Sequence, residues 1–179
     1  MILGKPDGMP ATSVAGHGEI SRIWNVLADA ADVRSILIRG VGKGFCAGDT
    51  MDVVESMLQQ EAARLRVMRE ARAIVQGMLD CDKPIVSTIN GAAVGAGAAL
   101  ALLADISIAA RGAKIIDGHT RFGVAAGDHA AGPRPGCLPG RGPLWGVNYT
   151  PAECLCVLGR SGRTAAVGTC VPRSGSLRY

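Results

Sequence analysis

Aromatic residues are scarce in this chain: two Trp, two Tyr and two Phe, 3% of 179 residues, although 48% of the residues are apolar. Gly (25) and Ala fill much of the apolar share, so helices and backbones can approach one another closely. No secretory leader is expected either, because the opening Met1 to Gly8 is too polar to give a basic region followed by an apolar one. The uncharged stretch 87–104 comes nearest to a membrane span. Asn90, three glycines and many small residues make it a turn followed by a buried helix instead. Zinc is not expected: Cys154 and Cys156 have no His beside them, and Cys137 and Cys170 stand at no ligand-like spacing. Without a leader a disulfide framework is not expected either. Length and composition thus predict one soluble, cytoplasmic domain with no metal and no membrane contact.

The formal net charge of +4 invites a nucleic-acid partner, but its distribution removes that reading. Residues 1–131 carry 13 Lys and Arg against 14 Asp and Glu, whereas 132–179 carry six Arg and only Glu153. The same tail holds four of six Cys, six of nine Pro and both Tyr, and shows neither helical nor strand periodicity. Two regions are therefore expected, a core over 1–131 and a poorly structured tail over 132–179.

Within the core, residues 3–9 read as a strand end running into a turn at Pro6 and Gly8. Thr12 or Ser13 caps a helix with apolar positions Val14, Ile20, Ile23, Val26, Leu27 and Ala30. A strand is predicted over 35–39 and a long helix over 51–79, with Val54, Met57, Leu58, Leu65, Met68, Ile74 and Val75 as its apolar stripe. Further strands follow over 84–89, 105–109 and 114–116, with a short helix from Gly95 to Leu103 between the first two. Alternating strands and helices imply an α/β fold with right-handed crossovers.

Two strand-to-helix junctions stand out, Gly44-Phe45-Cys46-Ala47-Gly48-Asp49 and the segment from Asn90 to Ala98. Each brings small residues to a helix start, where backbone N–H groups lack intrahelical partners. Two such N–H groups facing each other make an oxyanion hole for a carbonyl oxygen. Taken singly, each glycine cluster is equally well explained by tight packing. The second is no dinucleotide fingerprint, because the third glycine is misplaced, and no Gly-Lys-Ser/Thr makes a P-loop.

Taken together, the segments resemble the crotonase (enoyl-CoA hydratase/isomerase) family. Residues 33–48 are similar to the family's strand and F-x-A-G loop, and 83–97 to its K-P-x-x-A-x-x-x-G-x-x-x-G-G-G segment. Ala104-Asp105-Ile106 is similar to the C-D strand that follows, and similarity begins near Leu3, with Pro10 where Asn is usual. The resemblance covers residues 3–131. It implies an incomplete β-β-α superhelix that binds acyl-CoA thioesters, coenzyme A being part of the substrate and no further cofactor needed. It also implies that the N–H groups of Ala47 and Ala96 hold an enolate oxygen, and that full-length relatives form trimers or hexamers. The acid usual two residues after the loop glycine stands one residue early, as Asp49, and its role stays open.

Hydratases of this family use two glutamates as acid and base. By the resemblance the first position is Ala99, which carries no proton, and the second is His119. Asp128 lies one residue past the position of a catalytic Asp in some isomerase and dehalogenase relatives. Against these roles, His119 can simply bond a loop backbone, Asp128 can cap a helix, Asp117 can hold a turn, and His17 is expected to be solvated. After Ala131 the family continues with a helix and an S-G-E-x-A-E-R-x-G-L-V segment, which this chain lacks. Decoded one base out of register, residues 158–168 permit S-G-E-A-A-E-R-L-R-L-V, so a frame-shifted tail on a truncated core is expected. The function expected is that of an acyl-CoA-processing enzyme weakened by truncation, the alternative being a non-catalytic acyl-CoA binder or a degenerate product.

Overall fold

The computed structural model describes residues 1–4 and 8–116, together with the backbone of 155–159 and 169–171. Its elements are β1 (Ile2–Leu3), α1 (Val14–Asp29), β2 (Ile36–Gly40), α2 (Met51–Gln59), α3 (Glu61–Asp80), β3 (Ile85–Ile89), β4 (Ala93–Val94), α4 (Ala96–Leu103), β5 (Ile106–Ala109), β6 (Ile115–Ile116), β7 (Leu155–Gly159) and β8 (Thr169–Val171). Strands β1, β2, β3 and β5 lie side by side and parallel, as helical connections between neighbours require. Strands β7 and β8 extend the β5 edge antiparallel. No strand is legible there in the sequence, and the rest of 132–179 lies outside the described residues. A separate two-stranded parallel sheet joins β4 to β6. Among the described residues no helix is long and apolar enough to cross a membrane.

Ile36 and Ile38 of β2, Ile85, Ser87 and Ile89 of β3, and Ser107 and Ala109 of β5 form the buried face of the sheet. Trp24 of α1, Ile74, Val75 and Met78 of α3, and the Ala- and Leu-rich α4 complete the same core. Ser13 caps α1 by accepting the Gly16 N–H at 3.2 Å. Lys83 donates its ammonium to the Leu27 and Ala30 carbonyls at the other end of that helix, where cations are favoured. Asp105 accepts the Ile85 N–H at 2.9 Å and so ties β3 to the turn before β5.

Three expectations need correction. The long helix 51–79 is broken at Gln60, which is extended at φ −131° and ψ 118°. The ladder of α2 closes with Gln60 N–H on Ser56 O at 2.9 Å and that of α3 opens with Arg64 N–H on Gln60 O at 3.1 Å, so Gln60 is the C-cap of one helix and the N-cap of the next. The stripe of α3 is Ala63, Val67, Ala71, Ile74, Val75 and Met78, while Leu58, Leu65 and Met68, and Val26 of α1, are exposed. Gly77 lets α1 and α3 close on each other, since a Cβ there would lie 2.8 Å from Trp24 Cβ. Thirdly, His17 is not solvated: it is fully buried, with Nδ1 2.8 Å from Glu70 Oε2 on α3.

Candidate active site

The first loop is anchored by Phe45, whose side chain is buried in the core. From there residues 45–50 run between two other extended segments. On one side the Phe45 and Cys46 N–H groups donate to the Ala92 carbonyl at 3.0 and 3.1 Å, and the Val94 N–H donates to Cys46 O at 2.8 Å. On the other side Ala47 N–H donates to Pro10 O at 2.6 Å, Thr12 N–H to Gly48 O at 2.8 Å, and Thr50 N–H to Thr12 O at 3.0 Å. These bonds make Cys46 the parallel partner of Ala93 and Asp49 the parallel partner of Thr12.

The second loop comes from β4. Its Gly95 caps α4 with φ 50° and ψ −119°, a conformation that residues with a side chain rarely adopt. That ψ sets the plane of the 95–96 peptide and therefore the direction of the Ala96 N–H. The helix ladder starts with Ala99 N–H to Gly95 O at 3.0 Å. Ala96, Gly97 and Ala98 thus have N–H groups with no carbonyl four residues back, at the positive end of the helix dipole. Such an end attracts an anion or a developing oxyanion.

The two loops touch. A Cβ placed on Gly48 would lie 2.9 Å from the Val94 carbonyl oxygen, and one on Gly97 would lie 2.5 Å from Cys46 Cβ. Ala96 is therefore flanked by residues packed on the first loop. The Ala47 N–H is already engaged by Pro10, so an oxygen in the cleft takes it only by exchanging that bond. In a parallel bridge the partner strand's bonds go to the residues before and after the bridging one, and Thr12 accordingly bonds Gly48 O and Thr50 N–H. No sequence pattern could reveal this, because it depends on which segment pairs with residues 47–50.

Ala99 is buried within α4 and brings no ionisable group to the cleft. His119, Asp117 and Asp128 lie outside the described residues. Cys46 is buried beside the Thr12 hydroxyl, Sγ to Oγ1 3.6 Å. Burial pushes its thiol pKa up; the Gly48 N–H and the Thr12 hydroxyl pull it partly back, and the nearby Asp49 carboxylate adds to the rise. A cavity of about 300 Å³ opens on the far side of the loop, between Met1–Gly4, Pro10–Ser13 and α1. Among the described residues no cluster of His, Cys, Asp and Glu could hold a metal.

The sequence profile of the enoyl-CoA hydratase/isomerase family matches residues 1–132. A probable enoyl-CoA hydratase of Rhodobacter capsulatus is 33% identical over 125 residues, 69% of this chain and 47% of that protein. The 1,2-epoxyphenylacetyl-CoA isomerase of Escherichia coli is 29% identical over 126 residues, 69% of this chain and 48% of the relative. The crystal structure of an enoyl-CoA hydratase/isomerase from Mycobacterium paratuberculosis superposes with a TM-score of 0.68 at 33% identity, covering 72% of this chain and 52% of the other. The chain spans about half the length of the curated relatives it matches. With its mixed α/β core, paired loops and profile match, the chain belongs to the enoyl-CoA hydratase/isomerase family and carries the first part of the crotonase fold.

Proposed function

We propose that this chain binds acyl-CoA thioesters of the fatty-acid type in the cytoplasm, placing the thioester oxygen between the Phe45–Asp49 loop and the start of α4. Coenzyme A enters only as part of the substrate. The observation that carries the proposal is the N–H of Ala96, unbonded by its own helix and held beside the first loop by the Gly97–Cys46 contact. When a proton leaves the α-carbon, or a nucleophile adds at the β-carbon, negative charge collects on the thioester oxygen. Fixed N–H dipoles in a water-poor site then stabilise it more than the neutral ground state. For the second donor, the resemblance points to Ala47, whose N–H would exchange its bond to Pro10 O for one to the thioester oxygen. His119 and Asp128 are the candidates for moving the proton.

An alternative, acyl-CoA binding with little turnover, is favoured by one residue. Ala99 cannot transfer a proton at the position where hydratases of the family carry a glutamate. Calorimetric titration with butyryl-CoA and with free coenzyme A, alongside hydration of crotonyl-CoA, tests both. One added hydrogen bond to the thioester oxygen predicts about tenfold tighter binding of butyryl-CoA than of coenzyme A. Crotonyl-CoA hydration should be slow. Equal affinity for the two ligands contradicts the proposed site, and turnover at the rate of a full-length hydratase contradicts the role given to Ala99.

A further inference from the structure

Helix α4 has the sequence Ala-Gly-Ala-Ala-Leu-Ala-Leu-Leu, and every residue of it is buried. It has no polar side chain, and its alanines and glycine offer only shallow ridges to its neighbours. Gly97 packs on Cys46 at the first turn, but no side chain of the helix bonds its other end to the sheet. Its carbonyl at Ala101, however, is among the last four, which an α-helix cannot satisfy itself. The hydroxyls of Ser87 on β3 and Ser107 on β5 both donate to that oxygen, each at 2.6 Å. The two serines are direct partners across the β3–β5 pair, and both are fully buried.

We infer that Ser87 and Ser107 are positioning residues, clamping α4 to the sheet through the Ala101 carbonyl and thereby aiming the Ala96 N–H. The consequence for ligands rests on the oxyanion function proposed above for Ala96. Ala101 lies five residues beyond Ala96, about 7.5 Å along the helix axis. A tilt of about 10° at the clamp moves the Ala96 N–H by about 1.3 Å, enough to take a hydrogen bond of about 2.9 Å out of range. A carbonyl oxygen accepts two bonds, so either serine alone can hold it. The two side chains therefore act redundantly, and their removal is strongly non-additive.

The test compares ¹⁵N-labelled full-length wild type, S87A, S107A and S87A/S107A in two arms. The first arm needs no ligand: it follows the chemical shift and hydrogen exchange of the Ala96 amide in chains shown to be folded by circular dichroism. The clamp predicts small changes in either single variant and a large shift with faster exchange in the double. The second arm measures butyryl-CoA affinity, expected to fall about tenfold in the double variant and less than about twofold in the singles. An Ala96 amide unmoved in the folded double variant, or effects that simply add, overturns the clamp. Should the double variant not fold, S87C/S107C replaces it, because thiols of similar size are weak donors. Failure of wild type to bind butyryl-CoA counts against the proposed function alone, since the amide arm still decides the clamp.

Discussion

Replacing Gly97 with Ala tests the contact that joins the two loops. The new methyl would stand 2.5 Å from Cys46 Cβ and 2.6 Å from Cys46 O. Non-bonded carbons prefer about 3.5–4.0 Å, so the first loop or α4 must retreat by about 1 Å. The loop is not free to do so: Cys46 N–H is bonded to Ala92 O and Cys46 O to the Val94 N–H. Overpacking costs about 2 kcal/mol, two strained hydrogen bonds about 1 kcal/mol each, and Ala returns about 1 kcal/mol of helix propensity. The net loss of about 3 kcal/mol lowers a urea midpoint by about 1.5 M for a slope near 2 kcal/mol/M. Gly16→Ala is the matched control. It also lies in a first helical turn, its added methyl meets nothing nearer than 3.4 Å, and about 0.5 kcal/mol of stabilisation is expected. A G97A midpoint equal to or above that of wild type would refute the described packing of α4 on Cys46.

Other consequences follow from single features. Gly95→Ala meets no steric obstacle, yet φ 50° and ψ −119° strain any side-chain-bearing residue, so chemical denaturation should show a loss of about 1–3 kcal/mol; unchanged stability would contradict that backbone. Glu70→Ala removes the 2.8 Å partner of the buried His17 and should lower stability by about 1–3 kcal/mol, with an unaltered melt contradicting the pairing of α1 with α3. Burial raises the Cys46 pKa and so lowers its thiolate fraction at pH 8. In peptide-resolved mass spectrometry, iodoacetamide should therefore label Cys46 at least about tenfold more slowly than the half-buried Cys81, and comparable rates would be inconsistent with the described burial.

The order of strands and helices was legible because strands such as 85–89 are short, apolar and β-branched, and Gly or Asn marks their ends. The helix faces were less so. Leu58, Leu65 and Met68 look like core residues, yet they are exposed and the small Ala63 and Ala71 are buried instead. The break at Gln60 carries no Gly or Pro to announce it. His17 looked like a surface residue because its partner Glu70 is 53 positions away. At the candidate site, both loops and the place of Ala96 at the head of α4 could be read from small-residue patterns. The direction of each N–H in the first loop could not. It depends on Pro10 and Thr12, which pair there from 37 residues upstream.

Amide chemical shifts during titration with butyryl-CoA and with its thioether analogue, S-butyl-CoA, bear most directly on the oxyanion site. The two ligands share the coenzyme and the chain length, and only the first has a carbonyl oxygen. The proposed site predicts that butyryl-CoA shifts the Ala96 and Ala47 amides downfield while the thioether leaves both nearly unmoved. Equal shifts with the two ligands, or carbonyl-dependent shifts elsewhere with none at Ala96, would contradict it.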